Sequence, residues 1–347
     1  MAFTRGFDPQ EALDLLALSG ISENPATTDV PNPPPGWSLI FSSPVIGPFD
    51  NLWQLWKQDR MGRFAVVLRG TVPKAGSVIE DLISVMIAGK GTIAVGAESA
   101  NYQFADEPQA GVHLGFALGT LLLLKDSANG ILTQLKARVP AGGEIYVTGH
   151  SQGAAMATLL RSYLQYPNSD RPDGYGYKTY VFAQPKPGND HYAADFESRF
   201  SNSGCGFRIT NSLDWVPQVP FTIELLGDIN EPNLLSAWFD QSLTLRAMKF
   251  TFTSASSVIG TLREHVQEIV LERLDPAIRL LFARGRPLTA VAGSPSLKIL
   301  PSLNFVNAGS EIALIGTPCS GDECKDGFFE HHAGTYFKLL QAQIPAA

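Results

Sequence analysis

The stretch EIYVTGHSQGAAMATLL, Glu144 to Leu160, decides the fold. Ile145, Tyr146, Val147 and Thr148 are strand formers, so Glu144–Thr148 reads as a short strand. Gln152 to Gln165 is rich in Ala, Leu and Met and reads as a helix. Between them lies Gly149-His150-Ser151-Gln152-Gly153, a G-x-S-x-G pentapeptide. A serine at the apex of a strand–turn–helix projects its hydroxyl above a sheet edge. Gly149 and Gly153 leave room where side chains would meet neighbouring backbone. The helix start behind the serine offers N–H groups and a positive dipole end, so the Gln152 N–H is placed to bind a developing oxyanion.

Working outward, the pattern repeats. Asn51–Lys57 and Arg63–Arg69 are β-rich runs joined by a turn with Gly62, a hairpin signal. Gly111 to Val139 has helical periodicity and ends at Pro140. Lys178–Ala183, Phe207–Thr210 and Glu311–Ile315 read as further strands, and His332–Gln343 as a closing helix. A short helix is expected at Pro9–Leu18, followed by an extended Pro-rich run to Gly36. Strands alternating with helices indicate an α/β fold, a central mostly parallel sheet flanked by helices. Between Pro220 and Asn304, Val258, Ile259, Leu262, Val266, Ile269 and Val270 share one face of a long helix.

Composition narrows the function. With 347 residues the chain holds one large domain or two ordinary ones. Lys plus Arg number 26 against 33 Asp plus Glu, a formal charge of −7. Nucleic-acid binding is not expected, because displacing counterions from phosphates needs a basic surface. At 44% hydrophobic and 17% charged residues the chain can bury a large core. The longest apolar run, Leu114–Leu124, falls short of the roughly 20 residues that span a bilayer. The N-terminus lacks a signal-peptide pattern, so the expectation is a soluble chain, cytoplasmic by default, with an extracellular location left open. Of three cysteines, Cys319 and Cys324 are near enough to pair in an oxidising compartment, leaving Cys205. Zinc at Cys319, Cys324 and the two adjacent histidines fits structural zinc spacings poorly, so no metal or other cofactor is expected.

A serine hydroxyl needs a base, and the base needs an acid to fix its tautomer. In this strand–turn–helix setting the chain order is serine, acid, histidine. Asp214 lies just past a strand, on the side where parallel sheets place their crevice. Asp190 and Asp195 are weaker rivals. His113 and His150 precede the serine, His191 precedes Asp214, and His265 lies on the long helix. His331 and His332 remain, and chain order does not choose between them. A second oxyanion donor is expected after the strand ending at Arg69-Gly70, where Thr71 offers an N–H and a hydroxyl.

These residues form an ordered set of blocks. They are VVLRGT (Val66–Thr71), EDL (Glu80–Leu82), VHLGF (Val112–Phe116), VTGHSQGAAMA (Val147–Ala157), FAQPKPGN (Phe182–Asn189), RITNSLDWVPQVP (Arg208–Pro220) and HHAGTYF (His331–Phe337). The set resembles the class 3, fungal-type lipases of the α/β-hydrolase superfamily. It departs from them at Gln152-Gly153-Ala154, where Leu-Gly-Gly is usual, at Ala183 in place of glycine, and in the long stretch from Phe221 to Pro301. The resemblance implies an α/β-hydrolase fold and carboxylic ester hydrolysis without cofactor. It implies Ser151 as nucleophile, Asp214 as orienting acid, and Thr71 and Gln152 as oxyanion donors. Spacing to Tyr336 favours His331 as base, with His332 as the alternative. The expected partner is a lipid or ester substrate at a lipid–water interface. A short-chain esterase, a phospholipase or an acyltransferase would use the same site, and a non-catalytic ligand binder built on the same fold is the remaining alternative.

The domain expectation is therefore a single α/β-hydrolase domain over 1–347, with a lid at 72–95 and an inserted, largely helical segment at 221–301. In the resembled family the lid position carries a short helix over the site. Leu82–Ala88 is apolar and bracketed by Gly76 and Gly89, which suits either a mobile cover or packed core.

Overall fold

The computed structural model describes residues 3–46, 51–70, 85–95, 98–126, 128–166, 174–220, 222, 298–300, 302–321 and 325–344. In chain order the elements are α1 (Pro9–Glu23), β1 (Trp37–Ser42), β2 (Trp53–Gln58), β3 (Arg63–Leu68), β4 (Met86–Ala88), β5 (Lys90–Val95), β6 (Glu98–Gln103), β7 (Gly111–His113), α2 (Leu114–Lys125), α3 (Ile131–Arg138), β8 (Glu144–His150), α4 (Gln152–Tyr163), β9 (Gly176–Phe182), α5 (Asp190–Phe196), β10 (Gly206–Asn211), β11 (Ile299–Leu300), β12 (Ser310–Leu314) and α6 (Ala333–Gln343).

A seven-stranded sheet runs β1-β2-β3-β8-β9-β10-β12. The β1-β2-β3 edge is antiparallel, and from β3 to β12 every pairing is parallel. Why β3 is RFAVVL without polar alternation follows from its place: all six residues are buried, because helices cover both faces. Phe64, Val66 and Leu68 pack with Ile145, Val147, α2 and α4 in one core. Ala65 and Val67 point the other way, into a second core with Tyr146, Tyr180, α1 and α6. This is the α/β-hydrolase arrangement, and it puts the C-terminal ends of β3, β8, β10 and β12 along one edge.

Three expectations change. First, Gly111–His113 is a strand rather than helix, paired antiparallel with Met86–Ala88. His113 then caps α2, its Nδ1 accepting the Phe116 N–H at 3.3 Å. The expected long helix is also split at Asp126, whose Oδ1 takes the N–H groups of Ala128 and Asn129. Periodicity alone cannot see either event, because every one of these segments is apolar enough to be buried. Second, the end of the apolar run expected as a lid is not helical. Val85, Met86, Ile87 and Ala88 are buried, and Met86–Ala88 is the middle strand of the three-stranded β11-β4-β7 sheet. Residues 71–84, the rest of that run, lie outside the described residues. Third, α1 continues past Leu18 to Glu23. Gly20 lies inside it, where a side chain would press on Ala333 at 3.1 Å, so the glycine admits α6. Of the segment 221–301 the long helix lies outside the described residues, while Ile299–Leu300 pairs with β4 as strand.

Asp8 caps α1 by accepting the N–H groups of Gln10 and Glu11. That cap aims Glu11 beneath the sheet. One Glu11 oxygen takes Arg63 at 3.2 Å and the Tyr146 hydroxyl at 2.7 Å. The other takes Lys178 at 2.7 Å and the Tyr180 hydroxyl at 2.8 Å. Lys178 has 0% of its surface exposed, and its Nζ is buried against Glu11 and the Thr4 carbonyl. Among the described residues no helix is long and apolar enough to cross a membrane. Cys319 is disulfide-bonded and Cys205 is free.

Removing one member of a buried ion pair strands the other charge and costs about 3–5 kcal/mol. Glu11→Ala is therefore expected to lower unfolding stability by that amount in urea titrations. A loss under about 1 kcal/mol would mean that Lys178 finds another partner or water, against this account.

Candidate active site

Ser151 sits between the last residue of β8 and the first of α4, with φ 57° and ψ −134°. This is a conformation that non-glycine residues hold only where surroundings enforce it. The enforcement is visible on both sides. A Cβ at Gly149 would strike the backbone of Gly153 and Leu68, and one at Gly153 would strike Leu68, Arg69 and Gly70. The Ser151 N–H bonds to the Phe182 carbonyl of β9 at 3.0 Å. Ala183, next in line, also has positive φ, at 51°, which explains why the resembled family favours glycine there.

Asp214 follows β10. A turn closed by the Asp214 N–H on the Asn211 carbonyl carries it to the strand's C-terminal end. It is 2% exposed, and its oxygens are fully engaged. Oδ1 accepts the Val216 N–H at 3.0 Å. Oδ2 accepts His331 Nδ1 at 2.8 Å and the Tyr336 hydroxyl at 2.8 Å. The Tyr336 hydroxyl in turn accepts the Asn211 N–H at 3.0 Å.

His331 lies on a single 3-10 turn, Phe329–His331, after β12 and directly before α6. Its Nε2 is 2.8 Å from Ser151 Oγ. With Nδ1–H donated to the Asp214 carboxylate, Nε2 carries the lone pair and the serine hydroxyl donates to it. Burial pushes the imidazole below its ordinary value of 6.5, the Asp214 hydrogen bond opposes this, and the neighbouring His150 adds to the lowering. The ring is thus neutral and basic at neutral pH.

The structure brings Ser151, Asp214 and His331 together. His332 is turned away, its Nε2 2.6 Å from Asp326, with both side chains about half exposed. Asp195 is bound to Tyr166, Arg199 and the Asp106 N–H, far from this cluster in the bonding network. Gln152 opens α4 and is buried, so its N–H is among the helix groups with no acceptor inside the helix. Thr71 lies outside the described residues. Its neighbour Gly70 abuts the elbow, where a Cβ would come within 3.2 Å of Ser151 Cβ.

Two residues at the site escaped the sequence reading. Tyr336 served only as a spacing marker, yet its hydroxyl is one of three donors to Asp214. Asn211 holds the histidine turn, its Nδ2 donating to the Glu330 carbonyl at 2.9 Å. No local pattern marks either one, because their partners lie more than a hundred positions away.

Residues 65–224 match the family model for class 3 lipases. A secreted mono- and diacylglycerol lipase of Fusarium solani is 29% identical over 147 residues, 39% of each chain. The secreted mono- and diacylglycerol lipase LIP4 of Malassezia restricta is 40% identical over 75 residues, 22% of this chain and 23% of that protein. Among solved structures, lipase II from Rhizopus niveus overlaps 61% of this chain and 75% of its own, at 20% identity and a TM-score of 0.45. The matches therefore span under two-fifths of the length of these curated relatives. The family match runs from β3 through the elbow and past Asp214, so this part of the chain, under half of its length, is similar to the class 3 lipases.

Proposed function

We propose that this chain is a serine hydrolase of carboxylic esters that acts on acylglycerols, with Ser151, His331 and Asp214 as its triad. One observation carries the reading: hydrogen bonds run unbroken from Ser151 Oγ through both nitrogens of His331 to Asp214, beside a helix start. The substrate class is argued from the names of the secreted relatives, which are mono- and diacylglycerol lipases.

The chemistry follows from the groups in place. Ser151 Oγ attacks the ester carbonyl while its proton passes to His331 Nε2. The imidazolium formed is stabilised by Asp214, which keeps its own proton count unchanged. Negative charge on the carbonyl oxygen falls at the start of α4, where the Gln152 N–H and the dipole favour it. Thr71, in the position that follows Arg-Gly in the resembled family, is the second donor in this reading. The tetrahedral intermediate collapses as Nε2 returns the proton to the departing alcohol oxygen, leaving an acyl–serine ester. Water then gives a proton to Nε2, adds to the acyl carbon, and releases the fatty acid and Ser151 Oγ–H. Each proton has a protein acceptor, so no cofactor is required by these steps.

Stoichiometric labelling of Ser151 by a fluorophosphonate is expected. Ser151→Ala should abolish it and lower turnover of diolein by about 10⁶-fold. Labelling without hydrolysis of any acylglycerol would keep the serine hydrolase and remove the substrate class. No labelling in the wild type would remove the triad reading itself.

The base must be neutral to accept a proton, so activity falls as pH drops through the His331 pKa. Because burial holds that pKa below 6.5, the acid limb of kcat/KM for a neutral ester should have its midpoint under 6.5. A midpoint at or above 6.5 would contradict the assignment of His331 as a desolvated base.

A further inference from the structure

His150, the residue before the serine in the elbow, has no place in the chemistry above, yet it is buried and doubly bonded. It is 2% exposed. Its Nε2 is 2.7 Å from the main-chain carbonyl of His331. Its Nδ1 is 3.0 and 3.1 Å from the two oxygens of Glu23, the last residue of α1. The two rings lie 4.6 Å apart between centroids, and Tyr336 stands edge-on to His150 at 5.9 Å.

The hydrogen positions follow from the partners. A carbonyl oxygen only accepts, so Nε2 of His150 carries a hydrogen. A carboxylate only accepts, so Nδ1 carries one as well, and His150 with Glu23 forms an imidazolium–carboxylate pair. The groups facing His150 are Glu23 from α1, His331 from the 3-10 turn, Tyr336 from α6 and Asp214 beyond β10. Burial by itself favours the neutral ring, and Glu23 outweighs it, so the net displacement is upward from 6.5.

The turn that bears His331 is held by its carbonyls. Asn211 Nδ2 binds the Glu330 carbonyl and His150 Nε2 binds the next one, that of His331. The second anchor fixes the residue whose side chain must stay within bonding reach of Ser151. It starts from the residue adjacent to Ser151, so nucleophile and base share one rigid support. We propose that His150, oriented by Glu23, is a positioning residue that fixes the backbone of His331 and thereby the distance from its imidazole to Ser151. This inference rests on the triad reading and extends it to a segment, α1, outside the family match.

Glu23 has a second effect. A lone positive charge on His150 would oppose protonation of His331 in the transition state. The Glu23 carboxylate, in contact with His150, offsets that repulsion. Glu23 therefore reduces, without removing, the lowering that the His150 charge imposes on His331.

The test compares two amides that each copy one imidazole nitrogen. Gln places its terminal NH₂ near the Nε2 position and keeps the bond to the His331 carbonyl. Asn places its NH₂ near Nδ1 and keeps only the contact with Glu23. The readouts are kcat and KM on a soluble ester, thermal midpoint, and fluorophosphonate labelling rate. His150→Asn is expected to lose about 10- to 100-fold in kcat with KM little changed, the scale for a base displaced by roughly 1 Å. His150→Gln should recover most of that loss at a similar thermal midpoint. Equal kcat in the two variants, a more active Asn variant, or losses that track the thermal midpoint would each overturn the proposal. If neither variant folds, the residue is structural and the proposal fails. Absence of labelling in the wild type would count against the triad reading instead.

Discussion

Everything at the site depends on how closely β3, β8 and the start of α4 approach one another around Ser151. Gly149, Gly153 and Gly70 bring three backbone segments to distances that no Cβ tolerates. The contact does two things. It holds Ser151 at positive φ against the roughly 1–3 kcal/mol such a conformation costs, and it points the start of α4 at the space above the hydroxyl. The parallel order β3-β8-β9 then follows, because only adjacent parallel strands end together at one edge. Asp214 and His331 reach that edge from β10 and β12, two strands further out.

Charges are buried at both ends of the strands, and the two ends solve the problem differently. Under the sheet, Glu11 is saturated by Arg63, Lys178, Tyr146 and Tyr180, and it ties α1 to three strands. At the elbow edge, Asp214 is also saturated, and one of its donors is an imidazole. The first arrangement is static. The second contains an imidazole, His331, that burial holds below its ordinary 6.5. α1 serves both ends, with Glu11 near its start and Glu23 at its finish.

How much of this was legible in the sequence depends on the kind of information each residue carries. The elbow was legible because its constraint is local: two glycines, a serine and the change from strand to helix lie within seventeen residues. The strands β3, β8, β9, β10 and β12 were legible because burial on both faces demands unbroken apolar runs. Gly111–His113 reads as helix because a three-residue buried strand has no period to reveal it, and its partner Met86–Ala88, within the run expected as lid or packed core, gives no strand signal for the same reason. The first helix is expected to end at Leu18 because sequence cannot show that α6 packs against Gly20. His331 and His332 could not be separated by chain order, since adjacent residues differ only in the direction their side chains leave a turn.

The two histidines nearest Ser151 show why neighbours with one chemistry can carry opposite duties. Both are buried, and burial pushes both toward the neutral form. His150 faces the Glu23 carboxylate through Nδ1 and a carbonyl through Nε2, so both of its nitrogens meet acceptors and its proton is retained. His331 faces a carboxylate through Nδ1 and a hydroxyl through Nε2, so one nitrogen is left to accept. The displacements are accordingly upward for His150 and downward for His331. By linkage, the His150 pair stabilises the fold fully below 6.5 and fades as pH rises through its raised value. The desolvated His331 resists the proton that the unfolded chain would take, so it weakens the fold as pH falls below 6.5. Groups pushed apart in this way divide the work of holding a proton and moving one. Both rings face a carboxylate through Nδ1: at His150 the Glu23 carboxylate outweighs burial, and at His331 burial outweighs Asp214.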